Sequence, residues 1–456
     1  MTGPSEQQGV EFGELSSSSA KAIVRSLVRG TTIAEGVRFI HVGHEKWTKA
    51  QRELLLEIAE DGHSDTKFVR GAYGAGKSHF LSVIQDIARN LGWVTSHVEC
   101  KVDGVQIDRF ETLYPQIVAK IVLPEGAEAA VDPAGVPTNR LRLLLERWAT
   151  GQLKKLGIRD GVVSRPFDAD ARLYTHLEAT LLRTNLSPDF IRAGCAFARA
   201  QLARDFDTMR TVSDWCGGLS EKALISRRYL ERPVMGKDTP GYVTLRPIGK
   251  GTAVDAMRGL LWLIRSAGFT GLVLCIDEIE ELAKLGSRKR QDQALQALRE
   301  YVDHAGGDGG FLNLCMYLAA TPEMFEGEDY FPRYDALATR IQSVGTEINW
   351  RGPIIDLDRT PLDKRQLVQM AVRINKIHQA AYGKVGEDDD LSQKNAETIA
   401  NTVSEARFRI AKPRLLARVI VDLLERRRQG DVGESPSDVS GMINKAASKI
   451  AKEMTV

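Results

Sequence analysis

The stretch KFVRGAYGAGKSHFLSVI, residues 67 to 84, decides the fold class. Its centre, residues 71 to 78, matches the phosphate-binding pattern GxxxxGK(S/T), with a short apolar run before it and a helical pattern after it. In such a loop the glycines let backbone N–H groups face phosphates, and the following helix presents its positive N-terminus to the same anion. The stretch predicts a nucleoside triphosphate site; the alternative is a chance glycine-rich turn.

The residues expected to contact the nucleotide belong to this loop and to the first turn of its helix: Gly71, Ala72, Tyr73, Gly74, Ala75, Gly76, Lys77, Ser78 and His79. In this pattern the lysine reaches the β- and γ-phosphates, and the serine hydroxyl ligates Mg²⁺. ATP and Mg²⁺ are therefore the predicted cofactors, with Lys77 and Ser78 in those two roles.

A pair of acids closes a second apolar run. Residues 271 to 278, GLVLCIDE, are apolar on both faces, as a central parallel strand requires, and they end at Asp277 and Glu278. Ligands of doubly wound sheets bind beyond the carboxyl ends of the strands. We therefore expect Asp277 to hold Mg²⁺ and Glu278 to orient and deprotonate an attacking water. The alternative is a pair of solvated carboxylates at a strand end.

Thr321 follows another strand-like run, residues 311 to 320, and so falls at the same edge of the predicted sheet. Its hydroxyl is predicted to hold the attacking water or to sense the γ-phosphate. A threonine that closes a strand before a proline is also ordinary turn chemistry, and the sequence leaves both interpretations open.

Strands that alternate with helices predict an α/β fold with a doubly wound parallel sheet. Near the N-terminus, residues 37 to 43 are expected to be extended. The expected divisions are a disordered start (1–19), a nucleotide-binding core (20–355) that contains a helical insertion of no assigned function (about 126–250), a helical lid (356–429) and a loose tail (430–456).

Composition and charge argue against several classes of protein. The chain has 43% apolar residues, as an ordinary globular protein does. Its 62 basic and 60 acidic side chains give a net charge of +2, so the overall charge does not indicate binding to nucleic acid or to a membrane. The five cysteines are far apart and predict reduced core thiols. The most apolar window, 259 to 276, contains an arginine and closes on two carboxylates, so no membrane span is expected. The N-terminus, MTGPSEQQG, has neither a basic start nor an apolar stretch, so no signal peptide is expected. These features favour a cytoplasmic protein.

Two arginines are candidate members of the site. Arg340 lies on a short helical pattern after the strand that precedes Thr321, and Arg414 opens a later helix behind Pro413. A lone arginine is more often a surface charge. The order of the elements favours a role in the site, because phosphate loop, acidic strand end, polar strand end and the two arginines follow one another along the chain.

That order resembles the AAA+ ATPases, particularly the origin-recognition and Cdc6-like branch. The resemblance implies a parallel sheet in the order 5-1-4-3-2, a C-terminal helical lid and nucleotide held at the junction of subunits. It also implies that Asp277 and Glu278 form the Walker B motif and that Thr321 is sensor 1. Arg340 would be the arginine finger offered to a neighbouring subunit, and Arg414 would be sensor 2.

Six stretches resemble the ATP-binding protein of the BREX phage-exclusion systems, the BrxD type, over about residues 20 to 425. They are AIVRSLVRGTT, FIHVGHEKW, RGAYGAGKSHFL, GLVLCIDEIEEL, LAATPEMF and YDALATRIQ. This resemblance implies a homo-oligomeric ATPase of bacterial anti-phage defence that assembles with other defence proteins, such as a helicase, and with DNA.

Two other functions stay open at this point. One is a replication-initiator or helicase-loader ATPase, although the residues after 430 are too few for the winged-helix domain of that branch. The other is a nucleotide-gated scaffold with little turnover, against which Glu278 argues. A basic cluster, residues 287 to 290 (SRKR), predicts either a contact with DNA phosphates or a solvated helix start.

Overall fold

The computed structural model describes residues 12–33, 35–101, 105, 107–124, 140–158, 166–237, 239–306, 310–341, 347–383, 399–403, 412–430, 441 and 445. Within these residues eight strands form two sheets. The strands are β1 (Asp65–Arg70), β2 (Val94–Glu99), β3 (Ile121–Val122), β4 (Ala223–Ser226), β5 (Tyr242–Leu245), β6 (Leu272–Asp277), β7 (Leu314–Ala320) and β8 (Ile354–Asp356).

The larger sheet has six strands in the order β3-β2-β6-β7-β1-β8. Its pairs are parallel except for β3, which runs antiparallel to β2. In the register of these strands, Phe68 of β1 lies opposite Leu318 of β7 on one side and opposite Ile354 of β8 on the other. The predicted α/β class with a mainly parallel sheet is therefore confirmed.

The described residues also form α-helices. Their bounds are α1 (Ser17–Arg29), α2 (Glu45–Asp61), α3 (Lys77–Asn90), α4 (Phe110–Ala119), α5 (Arg140–Lys155), α6 (Pro166–Leu181), α7 (Pro188–Ala203), α8 (Phe206–Cys216), α9 (Ala253–Ser266), α10 (Arg288–Gly306), α11 (Pro322–Glu326), α12 (Asp335–Ile341), α13 (Lys364–Tyr382) and α14 (Lys412–Arg428).

The two faces of the central strands enter different parts of the core. Every residue of β6 and β7 is buried. Because side chains alternate along a strand, Val273 and Cys275 pack with α2 and α3, whereas Leu274 and Ile276 join the larger cluster that includes α4 and α9. Burial on both faces explains why these strands are continuous apolar runs in the sequence.

The N-terminal helix packs with the C-terminal helices. Ile23 and Val24 of α1 share one apolar cluster with Ile374 of α13 and with Leu416 and Ile420 of α14. The sequence interpretation, which placed α1 in the nucleotide-binding core and α13 and α14 in a separate lid, did not anticipate this contact. Helices from the two ends of the chain therefore share one part of the core.

Two local expectations differ from the structure. The serine run assigned to a disordered start contains the beginning of α1, because the Ser16 hydroxyl accepts a hydrogen bond from the Ser19 N–H and so caps the helix. The segment expected to be extended contains a 3-10 helix, Val37–Phe39, which follows Gly36 at φ 74°. Val37, Phe39 and Ile40 are all buried, and the spacing of three residues from Val37 to Ile40 is that of a helical turn.

All five cysteines are free and buried. Among the helices of the described part of the chain, none is both long enough and apolar enough to cross a membrane. Most of the predicted tail lies outside the described residues, as does the start of the predicted insertion.

Candidate nucleotide-binding site

The phosphate loop connects β1 to α3 and has the backbone that its glycines permit. Gly74 has φ 81° and Gly76 has φ 100°, which are left-handed conformations that other residues rarely adopt. A Cβ atom at Gly71 would lie 3.2 Å from the Ala75 Cβ and 3.3 Å from the Lys77 Cγ, so the loop closes tightly on itself. The Lys77 ammonium donates a hydrogen bond to the Gly71 carbonyl at 3.0 Å.

The loop borders a cavity of about 400 Å³. Its wall is formed by the loop and α3 from Tyr73 to His79, by four acids, by Gly30 to Ile33 after α1, and by Arg414 and Arg418 of α14. Apolar side chains also contribute to the wall: Leu27, Ile33, Ile40, Val42, Leu362 and Met370. The wall therefore combines polar and charged groups with apolar ones, as a nucleotide with a triphosphate and a base requires.

The Asp277 carboxylate is held at the carboxyl end of β6. It is 2% exposed, and its Oδ1 accepts a hydrogen bond from the Glu278 N–H at 2.9 Å. Burial opposes its ionisation, but the nearby His97 and Ser78 side chains and the hydrogen bond from the Glu278 N–H outweigh burial and keep the pKa of Asp277 below its ordinary value. An ionised carboxylate beside the Ser78 hydroxyl is the donor set that Mg²⁺ prefers, so these two residues fit the predicted metal site.

Glu278 has a strained backbone. Its φ of 57° and ψ of 41° are left-handed, and few residues other than glycine adopt them. The pKa of Glu278 is raised by partial burial and by the neighbouring carboxylates of Asp277 and Glu99. A raised pKa brings a carboxylate closer to the range in which it exchanges protons at neutral pH.

The sequence patterns do not indicate three further acidic or basic residues of the site. Glu99 lies opposite Asp277 in the register of β2 with β6, and it lines the cavity. Glu280 lines the cavity beside Lys77, and His97 of β2 lies 3.7 Å from Asp277 through its Nε2. The acidic run GLVLCIDEIEEL contains both Glu280 and Glu281, and only Glu280 lines the cavity. The spacing of residues in the sequence does not indicate which of the two reaches the site.

Arg414 and Tyr73 close one side of the cavity together. The Arg414 guanidinium lies over the Tyr73 ring, 5.1 Å from its centroid, and both residues line the cavity. The structure therefore brings this predicted residue to the phosphate loop, although more than 300 residues separate them in the sequence.

Other predicted residues lie outside the cavity wall. Gly71 and Ala72 do not line it, and the Ala72 N–H donates instead to the Asp358 carboxylate at 2.9 Å. Thr321 does not line it either, although its backbone N–H favours the charged form of Glu280. Arg340 is bound to Asp303 of α10 and to the Ala336 carbonyl, away from the cavity.

His79 belongs to a cluster of histidines beside the phosphate loop. Its Nε2 lies 3.3 Å from the His41 Nδ1, and its ring lies 5.4 Å from that of His41. Burial, and to a lesser degree the nearby His44, lowers the pKa of His79 to about 4. Burial also lowers the pKa of His41, and the two rings are neutral at physiological pH.

The family model of the BREX system ATP-binding proteins BrxC and BrxD matches residues 15 to 436. The chain belongs to this family. The match covers the phosphate loop, the acids at the carboxyl end of β6, and the helices α1, α13 and α14 that border the cavity. A comparison with curated proteins found no match. The BrxC/D assignment makes the protein an ATP-binding component of a BREX system.

Proposed function

We propose that this BrxC/D protein is a Mg²⁺-dependent AAA+ ATPase whose nucleotide state controls its assembly with other BREX proteins and with DNA in anti-phage defence. One observation carries the proposal. A single cavity is bordered by the phosphate loop with Lys77 and Ser78, by the acids Asp277 and Glu278, and by Arg414. These groups come from three distant parts of the chain and together match a site for binding and hydrolysing ATP.

The order of the strands supports the AAA+ assignment. When the parallel strands β1, β2, β6, β7 and β8 are numbered one to five along the chain, their order in the sheet, read from β8, is 5-1-4-3-2. We propose that α13 and α14 are the helical lid, and that the helices between β3 and β4 are an insertion into the core. The position of Arg414 of α14 over Tyr73 supports the lid assignment.

In the proposed reaction, Lys77 and the N–H groups of the loop bind the β- and γ-phosphates. Bound Mg²⁺ would neutralise phosphate charge, and the Ser78 hydroxyl and the Asp277 carboxylate would hold it. Glu278 orients a water molecule and accepts its proton as the water oxygen bonds to the γ-phosphorus, while the bond between that phosphorus and the β–γ bridging oxygen breaks and ADP leaves. Thr321 helps to position this water, and Arg414 contacts the nucleotide phosphates.

We propose further that the protein is cytoplasmic and forms a homo-oligomer in which Arg340 of one subunit serves the nucleotide of the next. Its partners would be other proteins of the BREX system, including a helicase. The supporting observations are the family assignment and the position of Arg340 on the protein surface, away from the cavity of its own chain.

The test separates ATP binding from hydrolysis. Lys77→Ala is expected to abolish tight ATP binding, because it removes the cation that contacts the phosphates. Glu278→Gln is expected to retain ATP and to stop turnover, because it removes only the base. Calorimetry with ATP and Mg²⁺, together with a phosphate-release assay, measures both effects. Equal loss of binding in the two variants, or wild-type turnover by Glu278→Gln, would refute the roles assigned to these residues.

A further inference from the structure

The small sheet formed by β4 and β5 has one buried face and one open face. Ala223, Ile225 and Leu245 are fully buried against the helical part of the chain, which includes α8 below the sheet. On the other face, Leu224 is 47% exposed and Tyr242 is 67% exposed. Within the described part of the chain, no other strand pairs with either edge of this ribbon.

The ribbon and its connection carry more basic than acidic side chains. Residues 221 to 250 contain seven lysines or arginines and three acids, whereas the whole chain of 456 residues has a net charge of only +2. Residues 221 to 250 thus have a net charge of +4, a local positive charge that the overall charge of the chain conceals.

Some of these cations are neutralised by neighbours. Arg227 pairs with Glu231 at 3.4 Å, Arg228 with Asp205 at 2.8 Å, and Arg246 with Asp189 at 2.7 Å. The remaining four are exposed and form no ion pair with any residue that the structure describes: Lys222, Arg232, Lys237 and Lys250.

Apolar side chains lie among these cations. The connection between β4 and β5 turns at an isolated bridge between Val234 and Lys237, and at this turn Val234 is 56% exposed and Met235 is 73% exposed. The centre of a protein–protein interface is depleted of charged residues, and lysine in particular is rare there. Tyr, Met and Arg are common at such interfaces, but three of the four exposed cations that form no ion pair with a described residue are lysines, and this share of lysine is better suited to a phosphate backbone and the groove beside it.

We propose that this β4–β5 ribbon, residues 221 to 237 and 239 to 250, is a binding surface for double-stranded DNA. Lys222, Arg232 and Lys237 contact phosphates, and Tyr242 and Met235 contact sugars or base edges in the groove. A two-stranded ribbon has the width that the major groove of DNA admits. The inference depends on the proposed function in one respect, the choice of DNA as a partner. It assigns a role to a part of the chain that the ATPase site does not use.

The basic cluster of residues 287 to 290 is a weaker candidate for the same role. Arg288 pairs with Asp329 at 2.8 Å, and Arg290 lies 3.5 Å from Asp108. Two of its three cations therefore already have carboxylate partners, and a DNA phosphate would have to displace them.

The experiment measures binding of a labelled duplex of about 30 base pairs to the full chain by fluorescence anisotropy, over a series of salt concentrations. The triple variant Lys222→Ala, Arg232→Ala, Lys237→Ala is expected to weaken binding at least about tenfold at low salt. It should also reduce the slope of log K against log salt by about 2.7, which is about 0.9 for each DNA phosphate that the protein no longer neutralises. Tyr242→Ala is expected to weaken binding without changing this slope.

The matched control is Arg288→Ala, Lys289→Ala, Arg290→Ala, which removes the same charge from the other cluster and is expected to leave the slope unchanged. ATP binding and the unfolding temperature should be the same in wild type and in both triple variants, so that failure of the DNA proposal leaves the ATPase proposal intact. The inference is overturned if wild type does not bind the duplex, if both triple variants weaken it equally, or if the ribbon variant binds like wild type. Equal competition by poly-glutamate or by phosphatidylserine vesicles would also overturn it, because the surface would then bind acidic proteins or membranes.

Discussion

The Lys77 ammonium lies 3.7 Å from the Glu280 Oε1, and both side chains border the nucleotide cavity. Lys77 also donates to the Gly71 carbonyl, so its charge already has two partners within the protein. Burial raises the pKa of Glu280, although Lys77 and the Thr321 N–H both favour its charged form. A phosphate oxygen of ATP must compete with this carboxylate for the same ammonium group.

Glu280→Gln should therefore tighten ATP binding. The substitution keeps the shape of the side chain but removes a negative charge that repels the triphosphate and attracts Lys77. We expect the Kd for ATP to fall by about threefold to tenfold, as a screened interaction between near charges implies. Calorimetry at fixed Mg²⁺ concentration measures this change.

Glu281→Gln is the matched control, because Glu281 is the next acid in the same run but pairs with Lys284 at 2.8 Å and does not line the cavity. Its affinity for ATP should equal that of wild type. Weaker binding by Glu280→Gln, or equal gains in the two variants, would mean that Glu280 does not compete with phosphate.

The histidine cluster predicts a loss of stability in mild acid. Because burial lowers the pKa of His79 to about 4, the folded state binds fewer protons than the unfolded state between about pH 4 and pH 6.5. The free energy of unfolding therefore falls as the pH is lowered through this window, and His79 contributes about 2 kcal/mol of that fall between pH 7 and pH 5.

Urea unfolding of wild type and His79→Gln at both pH values, in buffer without nucleotide, checks this prediction. The variant should lose less stability on acidification than wild type, by about the amount assigned to His79. The same loss in both proteins would show that His79 is protonated in the folded state at pH 5.

Gly259 of α9 should tolerate no side chain. A Cβ atom there would lie 2.4 to 2.6 Å from the Phe190 ring of α7, which is itself buried. Gly259→Ala is therefore expected to destabilise the protein by about 1–3 kcal/mol, as overpacking does in other cores. Thermal or urea unfolding measures the change.

Gly151 of α5 is also a glycine within a helix, but unlike Gly259 it has room for a side chain. A Cβ atom at this helical glycine meets nothing within 4 Å. Gly151→Ala should stabilise the helix by about 0.5–1 kcal/mol, because alanine has the higher helix propensity. Unchanged stability of Gly259→Ala would indicate that α7 and α9 do not pack closely in solution.

The parts of the site that the sequence predicted are those with a short, fixed spacing. The loop from Tyr73 to His79 and the pair Asp277 and Glu278 are contiguous, and the ends of parallel strands must meet at one edge of the sheet. For this reason the local patterns were sufficient to bring these residues to one cavity.

The parts that the sequence did not predict depend on contacts between distant segments. The packing of α1 on α13 and α14 brings Gly30 and Ile33 to the cavity, and no periodicity within α1 indicates its partners. Glu99 reaches the site only through the register of β2 with β6. The 3-10 helix at Val37 was missed because apolar residues outnumber polar ones there, and such a short run fits a strand or a helical turn.

Arg340 is predicted to act on the nucleotide of a neighbouring subunit. It lies on α12, bound to Asp303 and away from the cavity of its own chain, and its side chain is about one third exposed. An arginine that stabilises transition-state charge contributes about 10³-fold or more to the rate of hydrolysis. Arg340→Ala should therefore bind ATP like wild type but hydrolyse it far more slowly, and turnover per chain in wild type should rise with protein concentration.

The control for the ion pair is Arg299→Ala, because Arg299 pairs with the same Asp303 at 2.9 Å. This variant should keep its turnover.

Mixing Arg340→Ala with Lys77→Ala should restore part of the activity, because the intact arginine of the second chain can serve the intact nucleotide site of the first. If the mixture stays inactive and turnover per chain does not depend on concentration, Arg340 does not act between subunits, and its contact with Asp303 is its main role.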